Sequence, residues 1–149
     1  MAIDPNAPVV GTRDVRVDAP PAVVWDVMSA IDDWPSWNPE INSARLDGPL
    51  GPGSTFRWRA GPGEITSTLR EVRPGELIEW TGRTFGVTAI HVWRIRPDGD
   101  GSVVTTEESW DGLPARLFRR PSQRRLDAAL ESGLRLLKAE AERRVRQDG

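Results

Sequence analysis

The central part of this chain alternates apolar and polar residues with a period of two, and clusters of Gly and Pro interrupt this pattern at short intervals. The clusters lie at residues 48–53, 61–63, 74–75, 82–86 and 98–101. A period of two is typical of strands that bury one face, and closely spaced turns join antiparallel neighbours. The pattern predicts six consecutive strands, near residues 42–47, 54–60, 64–73, 76–83, 86–96 and 102–110.

The segments that flank this block have different periods. Residues 9–17 are rich in Val and predict a first strand, which Pro20 and Pro21 follow. Apolar residues then recur at helical spacing up to Ile31, and the two prolines of residues 33–39 predict a turn with a second, shorter helical piece. After Pro114 the sequence predicts one long helix, at about residues 122–145, whose apolar face carries Leu126, Leu130, Gly133, Leu137 and Ala141.

This order of elements predicts the α+β class. We expect one domain over residues 1–149, with a core at about 9–145, in which a curved seven-stranded antiparallel sheet wraps around the long C-terminal helix. Two short helices follow the first strand. A sheet that grips a helix leaves a concave space between the two, and small-molecule sites favour such spaces.

Composition excludes several kinds of site. The chain has no Cys and a single His, which excludes disulfides, cysteine nucleophiles, Cys-based zinc sites and multi-histidine metal sites. We therefore predict no metal and no cofactor. Residues 1–115 carry 10 basic and 17 acidic side chains, whereas residues 116–149 carry 10 basic and 5 acidic ones. The sequence pI of about 5.5 nevertheless argues against nucleic acid as a partner.

No segment of the chain is apolar enough to suggest a membrane span. The longest unbroken apolar run covers only residues 22–25, far below the roughly 18 residues that a span requires. The first ten residues have neither the basic region nor the apolar region of a secretory signal. We therefore expect a cytoplasmic protein without integral membrane association, either a monomer or a weak dimer.

Several motifs follow each other in the order of a known superfamily. They are PPAVVW at 20–25, DDWPSWNP at 32–39, GPLGPGSTFRW at 48–58, RPGELIEW at 73–80 and GSVVT at 101–105. Over residues 9–143 the chain resembles the START-like or SRPBCC superfamily, in particular its polyketide cyclase/dehydrase branch. The resemblance implies a helix-grip fold around a deep apolar cavity that holds a lipid, a polyketide, a hormone or another hydrophobic molecule. A minority of the family catalyses cyclisation or dehydration there.

Seven tryptophans are the most unusual feature of the composition. Each buries a large apolar area and carries one N–H donor that needs an acceptor. Trp25, Trp34 and Trp37 lie in the segment that defines the fold in the resembling family, and we interpret them as structural. Four others lie on predicted strands, where they line the cavity if they face inward: Trp58, Trp80, Trp93 and Trp110.

The only histidine, His91, lies on the predicted strand 86–96. Because Arg94 and Arg96 take the solvent face of that strand, its alternation sends His91 and Trp93 inward. A buried imidazole beside a carboxylate can transfer protons, with the carboxylate orienting the ring. His91 is therefore a candidate acid–base residue.

The partner of His91 depends on the length of the hairpin loop that follows. A four-residue loop at 98–101 pairs Pro97 with Ser102 and places Glu108 opposite His91. A three-residue loop would place Glu107 there instead. In either case the contact can be a simple polar pair without a catalytic role.

We predict that the protein binds or transports a small hydrophobic molecule. One alternative is a cofactor-independent cyclase or dehydratase that uses His91 and Glu108, although the chain lacks the tyrosine that some family cyclases use. A second alternative is a protein-interaction module that uses the arginine-rich last helix. The predicted ligand-binding residues are Phe56, Trp58, Trp80, Ala89, His91, Trp93, Thr106, Glu108, Trp110, Leu130, Gly133 and Leu137.

Overall fold

Seven strands form a single antiparallel sheet in the computed structural model, which describes residues 3–148. The strands are β1 (Val9–Val17), β2 (Ile41–Asp47), β3 (Thr55–Ala60), β4 (Glu64–Arg73), β5 (Leu77–Thr84), β6 (Val87–Asp98) and β7 (Gly101–Asp111). Their order across the sheet is β1-β7-β6-β5-β4-β3-β2. Strands β2 to β7 therefore form a meander, and β1 joins it beside the last strand. The predicted strands and the curled antiparallel sheet are confirmed.

The bounds of the long C-terminal helix differ from the predicted ones. Two helices follow β1, α1 (Pro21–Ser29) and α2 (Trp34–Trp37), separated by a 3-10 turn at Ile31–Asp33. The C-terminal part contains a short α3 (Leu113–Leu117) and a long α4 (Arg119–Asp148). The expected helix at 122–145 thus begins earlier and ends later. Pro121 falls in its first turn, where the missing N–H would have had no partner within the helix.

The long helix lies along the edge strand β1. Near the start of α4 the Gln123 amide donates to the carbonyl of Val10, at 2.8 Å, and farther along the Lys138 ammonium donates to the carbonyl of Arg16, at 3.0 Å. The middle of α4 reaches the other side of the sheet, where the Ser132 hydroxyl bonds the Glu40 carboxylate just before β2. The helix therefore follows β1 along its length, and its middle also reaches the segment that leads into β2.

Buried apolar residues form two separate clusters. The main cluster joins α1, α2 and the second half of α4 to the inner face of the sheet, and contains Trp34, Phe56, Trp80 and Trp93. The small cluster consists of Val9, Ala115, Leu126 and Leu130, with Trp110 packed against it. We call the end that carries α1 and the β4–β5 and β6–β7 hairpins the closed end. The end that carries the β3–β4 and β5–β6 hairpins, α3 and the start of α4 is the open end.

Candidate functional site

The register of the sheet places His91 opposite Glu108 on the inner face. Strands β6 and β7 pair Pro97 with Ser102 and His91 with Glu108, as the four-residue loop predicted. The loop itself is shorter than expected, because Asp98 and Gly101 also pair and leave only Gly99 and Asp100 between the strands. Gly99 has a φ of 58°, which suits the first position of a two-residue hairpin turn. The alternative pairing of His91 with Glu107 is excluded.

His91 and Glu108 belong to a buried polar network of four side chains. The Nδ1 atom of His91 lies 3.2 Å from Oε1 of Glu108, and its Nε2 atom lies 2.8 Å from the hydroxyl of Thr106. The indole N–H of Trp110 donates to the other carboxylate oxygen of Glu108, at 2.7 Å. The side chains of His91 and Glu108 are only 11% and 14% exposed. Each polar atom of the pair therefore has a partner inside the protein.

Burial shifts both titrations towards the neutral forms. Loss of solvation lowers the pKa of His91 from 6.5 to about 3. The same loss of solvation raises the pKa of Glu108 from 4.5 to about 7, against the smaller opposing effect of the hydrogen bond from Trp110. A charged group without water is costly, and the neutral form is favoured unless a strong partner compensates. At pH 6 the pair is therefore a neutral imidazole beside a protonated carboxyl group.

The network has two protonation states that differ by one proton. When Glu108 is protonated, its hydroxyl donates to Nδ1 of His91, and the Nε2–H of the ring donates to Thr106. When Glu108 is ionised, Nδ1–H donates to the carboxylate, and Nε2 accepts from the Thr106 hydroxyl. On ionisation the proton of Glu108 moves to Nδ1 and the proton on Nε2 leaves the pair, so the change between the two states releases or takes up one proton. The network can therefore act as an acid or as a base near neutral pH.

Towards the open end, a row of small residues crosses the inner face beside this network. Ser67 of β4 pairs with Gly82 of β5, Gly82 pairs with Ala89 of β6, and Ala89 pairs with Trp110 of β7. Ala89 and Trp110 are half-buried, whereas Ser67 and Gly82 are buried, so the row is accessible only at its β6–β7 side. We call Ser67, Gly82 and Ala89 the small-residue row.

Sequence reasoning found only one member of the small-residue row, Ala89. It placed Gly82 in both the predicted strand 76–83 and the turn cluster 82–86; in the structure β5 continues to Thr84 and only Phe85 and Gly86 form the turn. A Cβ atom at Gly82 would lie 3.3 Å from both the Ser67 hydroxyl and the Ile65 side chain. Gly within a strand often marks such a close approach, and the alternation of β4 would have placed Ser67 inward as well.

Two of the predicted lining residues, Phe56 and Trp80, are packed against other side chains of the protein and do not border an open space. Phe56 is fully buried and Trp80 is 4% exposed. The ring of Trp34 from α2 lies 5.5 Å from each of them, and their own centroids are 5.6 Å apart. These three rings form part of the main cluster. Trp58 lies beside them, half-buried, and its indole N–H donates to the Ser67 hydroxyl at 3.0 Å.

The remaining predicted residues surround the network from the side of α4. A Cβ atom at Gly133 would lie 3.5 Å from the ring of Trp93, so the helix and this strand residue approach closely. The indole N–H of Trp93 is buried and has no acceptor among the described residues. Leu130 belongs to the small cluster and Leu137 to the main one, so the two leucines lie on opposite sides of Gly133.

The outer face of the sheet carries two shallow recesses. One, of about 280 Å³, is lined by residues that include Arg73, Arg94 and Arg96, and the other, of about 420 Å³, includes Thr88 and Ile90. These strand positions alternate with His91 and Trp93 and therefore face away from α4. Neither recess is the predicted space between the helix and the sheet.

Two features are absent from residues 3–148. Within this range, no three side chains of His, Cys, Asp or Glu come together in a way that could hold a metal ion. No helix in the same range combines the length and the apolar character that crossing a bilayer requires.

Comparisons with known proteins agree with this fold. The model of the family described as "Polyketide cyclase / dehydrase and lipid transport" matches residues 8–142. The structure is similar to the di-domain ARO/CYC StfQ from the steffimycin biosynthetic pathway, with 18% identity and a TM-score of 0.77, over 92% of this chain but only 51% of StfQ. It is also similar to a START superfamily protein from Mycobacterium smegmatis, with 15% identity and a TM-score of 0.77, over 90% of this chain and 97% of the other. A comparison with curated protein sequences finds no match.

Proposed function

This chain belongs to the polyketide cyclase/dehydrase and lipid-transport family, and we propose that it binds a small hydrophobic molecule between α4 and the inner face of the sheet. The site lies over the small-residue row and beside the network of His91, Thr106, Glu108 and Trp110. An apolar body with one or two polar groups fits this combination of surfaces.

The observation that carries the proposal is the contrast in side-chain size across the inner face. On the β3 side, Phe56 pairs with Ser67, packs against Trp80 and fills the space up to the helices. On the β6–β7 side, Ala89 adds little side-chain volume, and Ala89 and Trp110 are half-buried, whereas Ser67 and Gly82 are buried. A ligand that lies over Ala89 and Trp110 would cover surface that the protein leaves partly accessible.

The polar groups nearby suggest how the ligand is oriented. In its protonated form Glu108 donates to His91, and its second oxygen accepts from Trp110. The unpaired N–H of Trp93, beside Gly133, lacks only an acceptor. A carbonyl or hydroxyl oxygen on the ligand would satisfy this donor, and an unsatisfied buried donor costs about 1–3 kcal/mol.

A thermal-shift screen of fatty acids, sterols and aromatic polyketides tests the proposal. A ligand that binds only the folded state, at about 100 times its dissociation constant, raises the free energy of unfolding by about 2.7 kcal/mol. Quenching of tryptophan fluorescence by the same compound would give the affinity. If no compound in the screen raises the melting temperature or quenches the fluorescence, the proposal is wrong.

A pair of variants on one strand locates the site. Ala89→Leu adds volume on the inner face of β6, over the small-residue row, and we expect it to lower the affinity at least tenfold. Thr88→Leu makes a comparable change on the exposed outer face of the same strand and is the matched control. Equal affinity of the two variants would place the ligand elsewhere.

A second candidate function is cofactor-independent cyclisation or dehydration of a polyketide-like substrate. The contact between His91 and Glu108, with a Glu108 pKa of about 7, favours it because one member of the pair can donate or accept a proton near neutral pH. Turnover of a poly-β-ketone by the purified protein would test it. We expect His91→Ala and Glu108→Gln to reduce such turnover by about 10²–10⁴-fold. The same changes would alter the stability much less.

A further inference from the structure

Four large apolar side chains are exposed on the described part of the chain, and they lie at the open end. They are Phe85 at 73%, Leu113 at 65%, Leu117 at 67% and Phe118 at 61% exposure. The β5–β6 turn touches the first turn of α3, since a Cβ atom at Gly86 would lie 3.6 Å from the ring of Pro114. Leu113 and Leu117 are four residues apart and therefore share one face of α3. The four side chains thus come from neighbouring segments of one surface.

Phe85 occupies a backbone conformation that a large side chain rarely adopts. Thr84 and Val87 pair, so Phe85 and Gly86 form a two-residue hairpin turn with φ values of 47° and 77°. Turns with positive φ at both positions strongly prefer Asn-Gly or Gly-Gly. Phe85 is the only residue other than glycine with positive φ in the described part of the chain. Its ring contacts the Gly63 backbone in the neighbouring hairpin, yet most of it faces solvent.

The charge of this region is opposite to that of the rest of the chain. Residues 112–126 contain five arginines and no acidic residue, whereas the whole protein has a formal net charge of −2. All five arginines are exposed. Arg116 pairs with Asp111 at 3.0 Å, but Arg120 and Arg124 form no ion pair with any described residue. Because Arg120 and Arg124 are four residues apart, they lie on the same face of α4.

We propose that the open end docks on the surface of an anionic lipid bilayer. The docking surface consists of Phe85, Leu113, Leu117 and Phe118, which enter the interfacial region, and of Arg116, Arg120 and Arg124, which contact lipid phosphates. Exposed aromatic and leucine side chains next to basic residues are the combination that binds proteins to such interfaces. A purely electrostatic partner would leave the four apolar side chains in water and would not require phenylalanine in the β5–β6 turn.

Docking in this orientation would place the small-residue row next to the bilayer. The β5–β6 turn that carries Phe85 is continuous with the strands that hold Gly82 and Ala89. A hydrophobic ligand could then pass between the bilayer and the site without crossing water. This role rests on the proposed function, whereas the docking itself does not depend on a ligand.

Flotation of the full chain with lipid vesicles tests the docking. One set of vesicles consists of phosphatidylcholine alone, and the other contains phosphatidylglycerol in addition. We expect the protein to bind the second set, to bind the first set weakly, and to lose binding as salt is added, because screening weakens the attraction of arginines to phosphates.

Arg120→Gln and Arg124→Gln should each lower the binding about fivefold. Arg96→Gln and Arg146→Gln, exposed arginines at the other end of the molecule, should leave it unchanged.

Phe85→Asn separates docking from folding. Asparagine suits the first position of this turn better than phenylalanine, so the melting temperature should stay the same or rise while binding to vesicles falls. Leu117→Ser supplies a second apolar change outside the turn.

Three results would overturn the proposal: equal binding to both kinds of vesicle, no binding to either, or binding that depends on the arginines but not on Phe85 and Leu117. The last result would indicate an acidic protein partner. Ligand affinity, measured without vesicles, tests the site independently.

Discussion

Two sides of the inner face follow the same strand alternation, but they differ in the size of the side chains that point inward. On the β3 side, Phe56 packs against Trp34 and Trp80, and the ring centroids of the three pairs are 5.5–5.6 Å apart. On the β5–β6 side, Gly82 and Ala89 occupy equivalent inward positions in the same row across the sheet as Phe56. Alternation therefore decides which residues face the helix, and side-chain volume decides whether they form a core or a binding surface.

Removal of α4 should have the largest effect, because leucines of this helix belong to both apolar clusters. A chain that ends before Arg124 loses Leu126, Leu130, Leu134 and Leu137, which are all buried. Each buried leucine contributes roughly 1.5–3 kcal/mol, and the net stability of a domain is only about 5–15 kcal/mol. We expect no cooperative thermal transition by circular dichroism. A sharp melt of the truncated chain would show that the sheet folds without the helix.

Two tryptophans, one in the core around Phe56 and one beside the small-residue row, give the next largest difference in stability. Trp34 is 5% exposed and touches three other rings, so Trp34→Ala should lower the free energy of unfolding by about 3–5 kcal/mol. Trp110 is half-buried beside the small-residue row, and Trp110→Ala should cost about 1–2 kcal/mol. Urea denaturation gives both values. Similar losses at the two positions would contradict the contrast between a core and a binding surface.

The pH dependence of stability tests the polar network. Between pH 4.5 and 6.5 the unfolded chain holds one proton on this pair, on the histidine, and the folded chain also holds one, on Glu108. The pair therefore contributes almost no slope in this range. In Glu108→Gln only His91 titrates, and because its folded pKa is depressed to about 3, its contribution to stability should rise as the pH increases from 3 to 6.5.

Urea titrations at several pH values would measure this slope as the difference between the wild type and Glu108→Gln, so that contributions from other groups cancel. Glu107→Gln, on the outer face of the same strand, is the matched control. An identical pH profile for the wild type and Glu108→Gln would contradict the neutral form of the pair.

Gly133→Ala should give the smallest effect and tests the packing of α4 against the inner face between the two sides. Alanine is favoured over glycine within a helix by about 1 kcal/mol, and its Cβ would lie 3.5 Å from the ring of Trp93, an ordinary contact distance. We therefore expect the variant to be more stable than the wild type by up to this amount. A loss of stability in thermal denaturation would mean that the contact with Trp93 is already too tight.

Sequence reasoning succeeded where the cause was local. The facing pair of His91 and Glu108 follows from strand alternation and from the turn residues between β6 and β7, which fix the register. It failed to foresee the filled space around Phe56 and Trp80, because the ring that fills it, Trp34, comes from α2 and reaches the strands only through tertiary packing. No periodicity within the strands contains that information.

Gly82 shows a second limit. A glycine close to a turn can mark either the turn or a close approach inside a strand, and the sequence 82–86 contains two glycines. Pairing of Gly82 with Ala89 in the middle of the β5–β6 ladder settles the choice. The small-residue row depends on three strands at once, and its members become visible only when the registers of all three are known.

The position of β1 has a consequence for the order of folding. Strands β2 to β7 pair with neighbours in sequence, whereas β1 pairs only with β7, so that Val9 lies opposite Trp110. Contacts between such distant parts of a chain form slowly, since a long loop must close first. During synthesis the β2–β7 meander can begin to form one hairpin at a time. Strand β1 stays unpaired until β7 has been synthesised. Gly11, the neighbour of Glu108 on β1, therefore reaches its place late, and the site is completed at the end of folding.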